Sequence, residues 1–107
     1  MFHHDDGKDY IQALPGITRK TLVHGMNTLM TRFNLGKGSE LPFHNHPQEQ
    51  TGFLVSGRMR LTIGDETLDL VAGDSWTVPG DVAHGAVVLE DSVAIEVFSP
   101  VREDYLK

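Results

Sequence analysis

A chain of 107 residues with a formal net charge of −6 and no cysteine has room for one hydrophobic core and offers no basic face for phosphate. Nucleic acid and anionic membrane surfaces are therefore poor partners, and thiolate metal sites, nucleophilic thiols and disulfides are excluded. The acidic start Met1-Phe2-His3-His4-Asp5-Asp6 lacks the pattern of a signal peptide, and no apolar run approaches the roughly 18 residues of a membrane helix, so the cytoplasm is the expected location.

Runs of strand character alternate with turn residues at short, even intervals, which predicts an all-β sandwich or barrel. The first twenty residues are weakly patterned, with an edge strand expected over Thr18–Val23. Thr28–Leu35 reads as a strand closed by Gly36-Lys37-Gly38. A strand carrying His44 and His46 follows, then Gln50–Val55 with a turn at Ser56-Gly57. Arg58–Ile63 alternates cleanly, placing Met59, Leu61 and Ile63 on one face. Gly64-Asp65 turns the chain into Thr67–Leu70, and Gly73-Asp74 turns it into Ser75–Val78. Pro79-Gly80-Asp81 leads to His84–Leu89, Glu90-Asp91 turns again, and Val93–Phe98 is the last clear strand. Arg102–Lys107 suits a short helical turn. The expected division is an N-terminal edge segment over 1–27, a barrel over 28–99 and a tail over 100–107. Trp76 and Phe53 read as packing, and Gly36, Gly38, Gly57, Gly64, Gly73 and Gly85 as turn or bulge positions that tolerate positive φ.

The chemistry concentrates in His44-Asn45-His46-Pro47-Gln48-Glu49-Gln50. Histidines two apart on an extended strand project to the same face. Gln50 lies just downstream, and His84 stands 38 positions after His46. Three imidazoles and an amide oxygen converging in a small barrel would hold one divalent transition metal ion. Nickel, zinc, manganese, iron and cobalt all accept this donor set. Gln50 has two readings, as a neutral ligand or as a hydrogen-bonding residue beside a three-histidine site. As a ligand it would leave the ion its full formal +2 toward substrate, which favours polarising a hydroxyl or carbonyl over activating oxygen. Glu49 has the opposite parity and reads as a neighbour of the site or a surface residue. His3, His4 and His24 lack such partners and read as terminal or surface residues.

Parity adds support. His44, His46, Gly52 and Leu54 are even-numbered, as are His84, Ala86 and Val88 on one strand and Ala94, Glu96 and Phe98 on another. If each strand keeps its pleat, each set shares one face, and the small or apolar neighbours mark that face as interior. Glu96 is then an inward carboxylate, which needs a metal, a cation or a functional reason.

These residues carry a family resemblance. Gly38-x5-His44-x-His46-x3-Gln50-x6-Gly57 resembles the first motif of the cupin superfamily, with glutamine where glutamate is most usual. Gly73-Asp74-Ser75-Trp76-Thr77-Val78-Pro79-Gly80-Asp81-Val82-Ala83-His84 resembles the second. The resemblance implies a single-domain double-stranded β-helix, a jelly-roll-like barrel with the metal near its centre. A narrower similarity is to the KdgF-like pectin-degradation cupins. It rests on His44-x-His46-Pro47-x-Glu49-Gln50 and on the tail Val97-Phe98-Ser99-Pro100-Val101-Arg102-Glu103-Asp104-Tyr105-Leu106.

That similarity implies ring opening of 4,5-unsaturated uronates from pectin or alginate breakdown. It gives functional roles to Glu96, Phe98 and Arg102, the arginine clamping the sugar carboxylate, and it implies a homodimer. The chain departs from it at Glu96, where aspartate is expected; the extra methylene extends the carboxylate by about 1.5 Å. The expected function is therefore a metal-dependent isomerase of small anionic sugars. A metal-dependent dioxygenase and a non-catalytic sugar-binding or regulatory cupin are the alternatives. The chain has no helix-turn-helix module for the last to regulate.

Overall fold

The computed structural model describes residues 1–106; Lys107, the end of the predicted C-terminal turn, lies outside them. The chain forms β1 (Ile11–Leu14), β2 (Ile17–His24), β3 (Leu29–Leu35), β4 (Glu40–His44), β5 (Glu49–Ile63), β6 (Glu66–Val71), β7 (Ser75–Val78) and β8 (His84–Ser99). Among the described residues one 3-10 turn, Glu103–Tyr105, follows.

All the pairings are antiparallel, and β5 and β8 are long enough to serve two sheets each. The first half of β8 lies between β4 and the second half of β5, which β6 flanks. The second half of β8 lies between β3 and the first half of β5, which β7 flanks; β2 and then β1 continue that sheet beyond β3. The two sheets face each other over Ile17, Leu35, Leu54, Met59, Leu61, Leu70, Ala86, Val88 and Ala94, the jelly-roll arrangement expected.

The structure corrects the element boundaries where the two long strands bend. The predicted turns at Ser56-Gly57 and Glu90-Asp91 are not hairpins, because the backbone pairing runs through both. Gly57 is a bulge at φ +93, and the register slips between Leu54 and Met59. The slip reverses parity: Gln50, Gly52 and Leu54 face inward before it, Met59 and Leu61 after it. Ser92 locks the bend by accepting from the Arg58 N–H at 2.9 Å and donating to the Glu90 carbonyl at 2.7 Å. In β8, by contrast, the even positions His84 to Phe98 stay inward apart from exposed Glu90 at the bend.

Four further expectations change. β2 is not the sheet edge, since Pro15-Gly16 folds β1 back onto it. Gly36 and Gly85 are not positive-φ positions. They are places of close approach, where an added Cβ would lie 3.0 Å from the Gly16 carbonyl and 2.8 Å from the Leu41 carbonyl. Phe53 does not pack inside; it is 47% exposed on the outer face, because it has the outward parity of β5.

Candidate metal centre

His44 and His46 do not share a strand. β4 ends at His44, and His46 sits in the loop that follows. The two rings nevertheless converge, with centroids 5.7 Å apart. The loop is held by its neighbour: the Asp81 N–H donates to the His46 carbonyl at 2.8 Å. Gly80 lets the two loops touch, since a Cβ there would stand 2.5 Å from the Pro47 carbonyl. The third ring arrives through the pairing of β4 with β8, where His44 and His84 are Cα partners. Its centroid lies 4.3 Å from His44 and 5.0 Å from His46.

One ring nitrogen from each of His44, His46 and His84 lies within 4.8 Å of the other two. The remaining nitrogens explain which ones converge. Each Nδ1–H donates to a backbone carbonyl two residues away: His44 to Pro42 at 2.9 Å, His46 to Gln48 at 3.0 Å, His84 to Val82 at 2.9 Å. Those bonds fix the tautomer and leave every Nε2 lone pair free for a ligand. Burial, reinforced at His46 by the Arg102 charge, holds His46 and His84 below the ordinary imidazole range and so neutral at pH 7.

Gln50, inward on β5, completes the set. Its Oε1 is 2.8 Å from His46 Nε2, and its amide nitrogen donates to Glu96 Oε2 at 2.9 Å. The second bond turns the amide oxygen toward the histidines. A lone pair on Nε2 then faces a lone pair on Oε1, and two acceptors repel unless a positive charge lies between them. The residues therefore fit a divalent cation, with three imidazoles and the Gln50 oxygen as its donors.

Glu96 is inward, as its parity predicts, and only 7% exposed. Burial pushes its carboxyl up to about 8, against the pull of the Gln50 and Trp76 hydrogen bonds. Its other oxygen accepts from Trp76 Nε1 at 3.0 Å. Trp76, expected only to pack, is thus a hydrogen-bonding neighbour of the candidate site residue Glu96 that the sequence pattern did not reveal. Gly52 was the available signal: it pairs with Trp76 on one side and Glu96 on the other. A Cβ at residue 52 would stand 2.1 Å from the indole.

Phe98 is fully buried and edge-on to His46, with ring centroids 5.7 Å apart. Arg102 reaches back from the tail, half-buried, and joins Phe98, His44, Gln50, His84 and Glu96 in lining one open-mouthed cavity. Apolar Leu35, Leu41, Met59 and Leu61 form part of its wall, and Phe33 and Tyr105 add two more rings to it. Glu49, His3, His4 and His24 are exposed and away from it. The cavity thus presents a candidate cation site of neutral donors, an enclosed carboxyl beside it and a guanidinium in its wall. Such a site suits polarisation of oxygen, transfer of a proton and capture of an anion.

The Cupin domain family matches residues 31–99 of this chain. The pectin degradation protein KdgF of Dickeya dadantii is 31% identical over 104 residues, spanning 95% of this chain and 94% of its own. The H2HPP isomerase of Bacillus subtilis is 30% identical over 96 residues, which are 88% of this chain and 41% of that protein. The solved structure of KdgF from a Halomonas species superposes with a TM-score of 0.91 at 33% identity, over 97% of this chain and 98% of that one.

Proposed function

The chain belongs to the cupin family, and from that premise we propose that it is a metal-dependent isomerase that opens the ring of small 4,5-unsaturated uronates and ketonises the product. The observation that carries this reading is the approach of His46 Nε2 and Gln50 Oε1 to 2.8 Å while the Gln50 amide donates to Glu96 at 2.9 Å, beside a cavity that Gln50, Glu96 and Arg102 all line. His44, His46, Gln50 and His84 would hold the ion. When bound, the ion supplies Lewis acidity, lowering the pKa of a substrate hydroxyl.

The remaining steps belong to the protein. Arg102 binds the sugar carboxylate and so sets which ring carbon faces Glu96. The hemiacetal hydroxyl gives up its proton as the bond from its carbon to the ring oxygen breaks. The enol left on the far side takes a proton at the adjacent carbon, and no atom is gained or lost. Glu96 handles both transfers. With its oxygens held by Trp76 and Gln50 and its pKa raised toward neutrality, it can take and return a proton near pH 7. Phe98 closes the wall beside His46 and limits water.

The same reading includes a homodimer, for which the outer edge of β1, unpaired among the described residues, offers a surface. The test is loss of the conjugated enol-ether absorbance from unsaturated galacturonate, followed anaerobically with metal-loaded and chelated protein. Oxygen-independent turnover that chelation abolishes is expected. No turnover across a panel of unsaturated uronates would overturn the reading.

A further inference from the structure

The tail that brings Arg102 to the cavity is fastened by a residue that motif reading passed over. Tyr105 sits in the terminal 3-10 turn, and its ring carries two guanidinium groups: Arg102 Cζ lies 4.0 Å from the ring centroid and Arg19 Cζ 3.9 Å. Phe98 meets the same ring edge-on at 5.3 Å. The tyrosine backbone is tied down as well, since the Thr21 hydroxyl donates to its carbonyl at 2.6 Å. Arg102 is also gripped by Asp104, from Nε at 3.4 Å and Nη2 at 2.9 Å, which leaves its Nη1 uncommitted to that pair.

Two guanidinium ions drawn to one partly buried ring would repel each other across water-poor space. The electron-rich face of the ring offsets that repulsion, and planar guanidinium stacks on it with its N–H groups still available at the rim. Among the described residues Arg19 Nη1 is buried without an acceptor, and the contact of its guanidinium with the Tyr105 ring helps hold Arg19 at this position.

We propose that Tyr105, backed by Arg19, is the positioning residue that holds Arg102 at the cavity wall and thereby gives the site its preference for a carboxylate-bearing substrate. The proposal rests on the isomerase reading for its substrate, but the pose of Arg102 can be measured without turnover. Arg19 lies on β2, more than eighty residues from Arg102 in sequence, so the specificity of the site depends on the tail docking on that strand. An uncapped Arg102 would still carry its charge but would sample many rotamers. Its carboxylate affinity would then fall without any change at the metal ligands.

Three variants and two readouts test this. Tyr105→Leu should raise KM for unsaturated galacturonate roughly tenfold, the scale of losing a partly desolvated cation–π contact and its ordering, with kcat nearly unchanged. The methyl ester of the same sugar, which lacks the anion, should show no such change. Tyr105→Phe keeps the ring and should restore the wild-type ratio of acid to ester; Arg19→Met should give an intermediate shift. Independently, the 15N-detected Nε–H signal of Arg102, assigned by its loss in Arg102→Lys, should be single and ring-current shifted in the wild type. In Tyr105→Leu it should move toward the free-arginine position. If that signal is unmoved in Tyr105→Leu and Arg19→Met, or if acid and ester suffer alike, the positioning role is overturned. If the wild type turns over neither sugar, the isomerase reading fails while the NMR measurement still decides the role of Tyr105.

Discussion

Gly52 stands between Trp76 and Glu96 in a row across three strands, and its missing side chain is what lets the indole Nε1 reach the carboxylate at 3.0 Å. With Gln50 on the other oxygen, Glu96 is held at both ends, one of them by a candidate metal ligand. Gly52→Ala places a methyl group 2.1 Å from the indole and must displace it. A loss of about 1–3 kcal/mol in stability is expected, together with a marked fall in kcat. Trp76→Phe removes the donor but keeps most of the ring, so its loss should be nearer 1 kcal/mol. Denaturant melts and kinetics on both variants separate crowding from the lost hydrogen bond.

Glu96→Gln preserves shape but cannot accept and return a proton. Turnover of unsaturated uronate should fall roughly 10²–10⁴-fold, the usual contribution of a positioned acid–base group. Metal content should be largely kept, because Glu96 is not among the four proposed donors and a glutamine there can still offer an amide oxygen to the Gln50 N–H. Elemental analysis beside the kinetics decides the matter; loss of metal in this variant would mean that the carboxylate supports the ion instead.

Adding a divalent metal should stabilise the protein by mass action, about 2.7 kcal/mol at a free concentration one hundred times Kd. The accompanying rise in melting temperature should vanish in His84→Ala and shrink in Gln50→Leu. Chelation should return the wild type to its metal-free melting temperature. Titrating nickel, zinc, manganese, cobalt and iron separately in a thermal melt would also rank the metals.

Lys20 gathers the N-terminal segment to β2. Its buried amine donates to Asp5 Oδ1 at 3.2 Å and Asp6 Oδ1 at 3.0 Å. Backbone N–H groups of Gly7 and Lys8, then Lys20, lower the two carboxyls from the ordinary 3.8. A depressed carboxylate contributes stability that is complete above its unfolded pKa and is lost as pH falls through the lowered folded value. Residues 1–10 should therefore detach in acid below that range. They should detach again in strong alkali as Lys20, raised by Asp6 and Asp5, finally loses its proton. Hydrogen exchange or proteolysis of the segment against pH reads this directly, and Lys20→Met should abolish the acid transition.

Much of this site was legible in the one-dimensional pattern. The period-two alternation placed Glu96 and Phe98 inward without knowledge of the fold, because burial acts on every second residue of a strand. The histidine spacing marked the donors. Yet His44 and His46 meet for a different reason from the one their spacing suggested. One ends a strand, the other lies in a loop held by Asp81, and only the pairing of β4 with β8 brings His84 between them. Likewise Ser56-Gly57 and Glu90-Asp91 have turn chemistry, but tertiary pairing carries the strands through them as bulges.

By itself, then, the amino-acid order determined the all-β class, the candidate donors and the inward face of β8, since each follows from local side-chain direction and chemistry. The folded barrel alone decided what lies across from what: Trp76 over Gly52, Gln50 against Glu96, and Tyr105 beneath Arg102 and Arg19. Apart from Arg102 and Tyr105, which are neighbours in the tail, those partners are far apart along the chain, and no local propensity encodes which distant strand will run beside another. That choice emerges only when the two sheets close over a shared core.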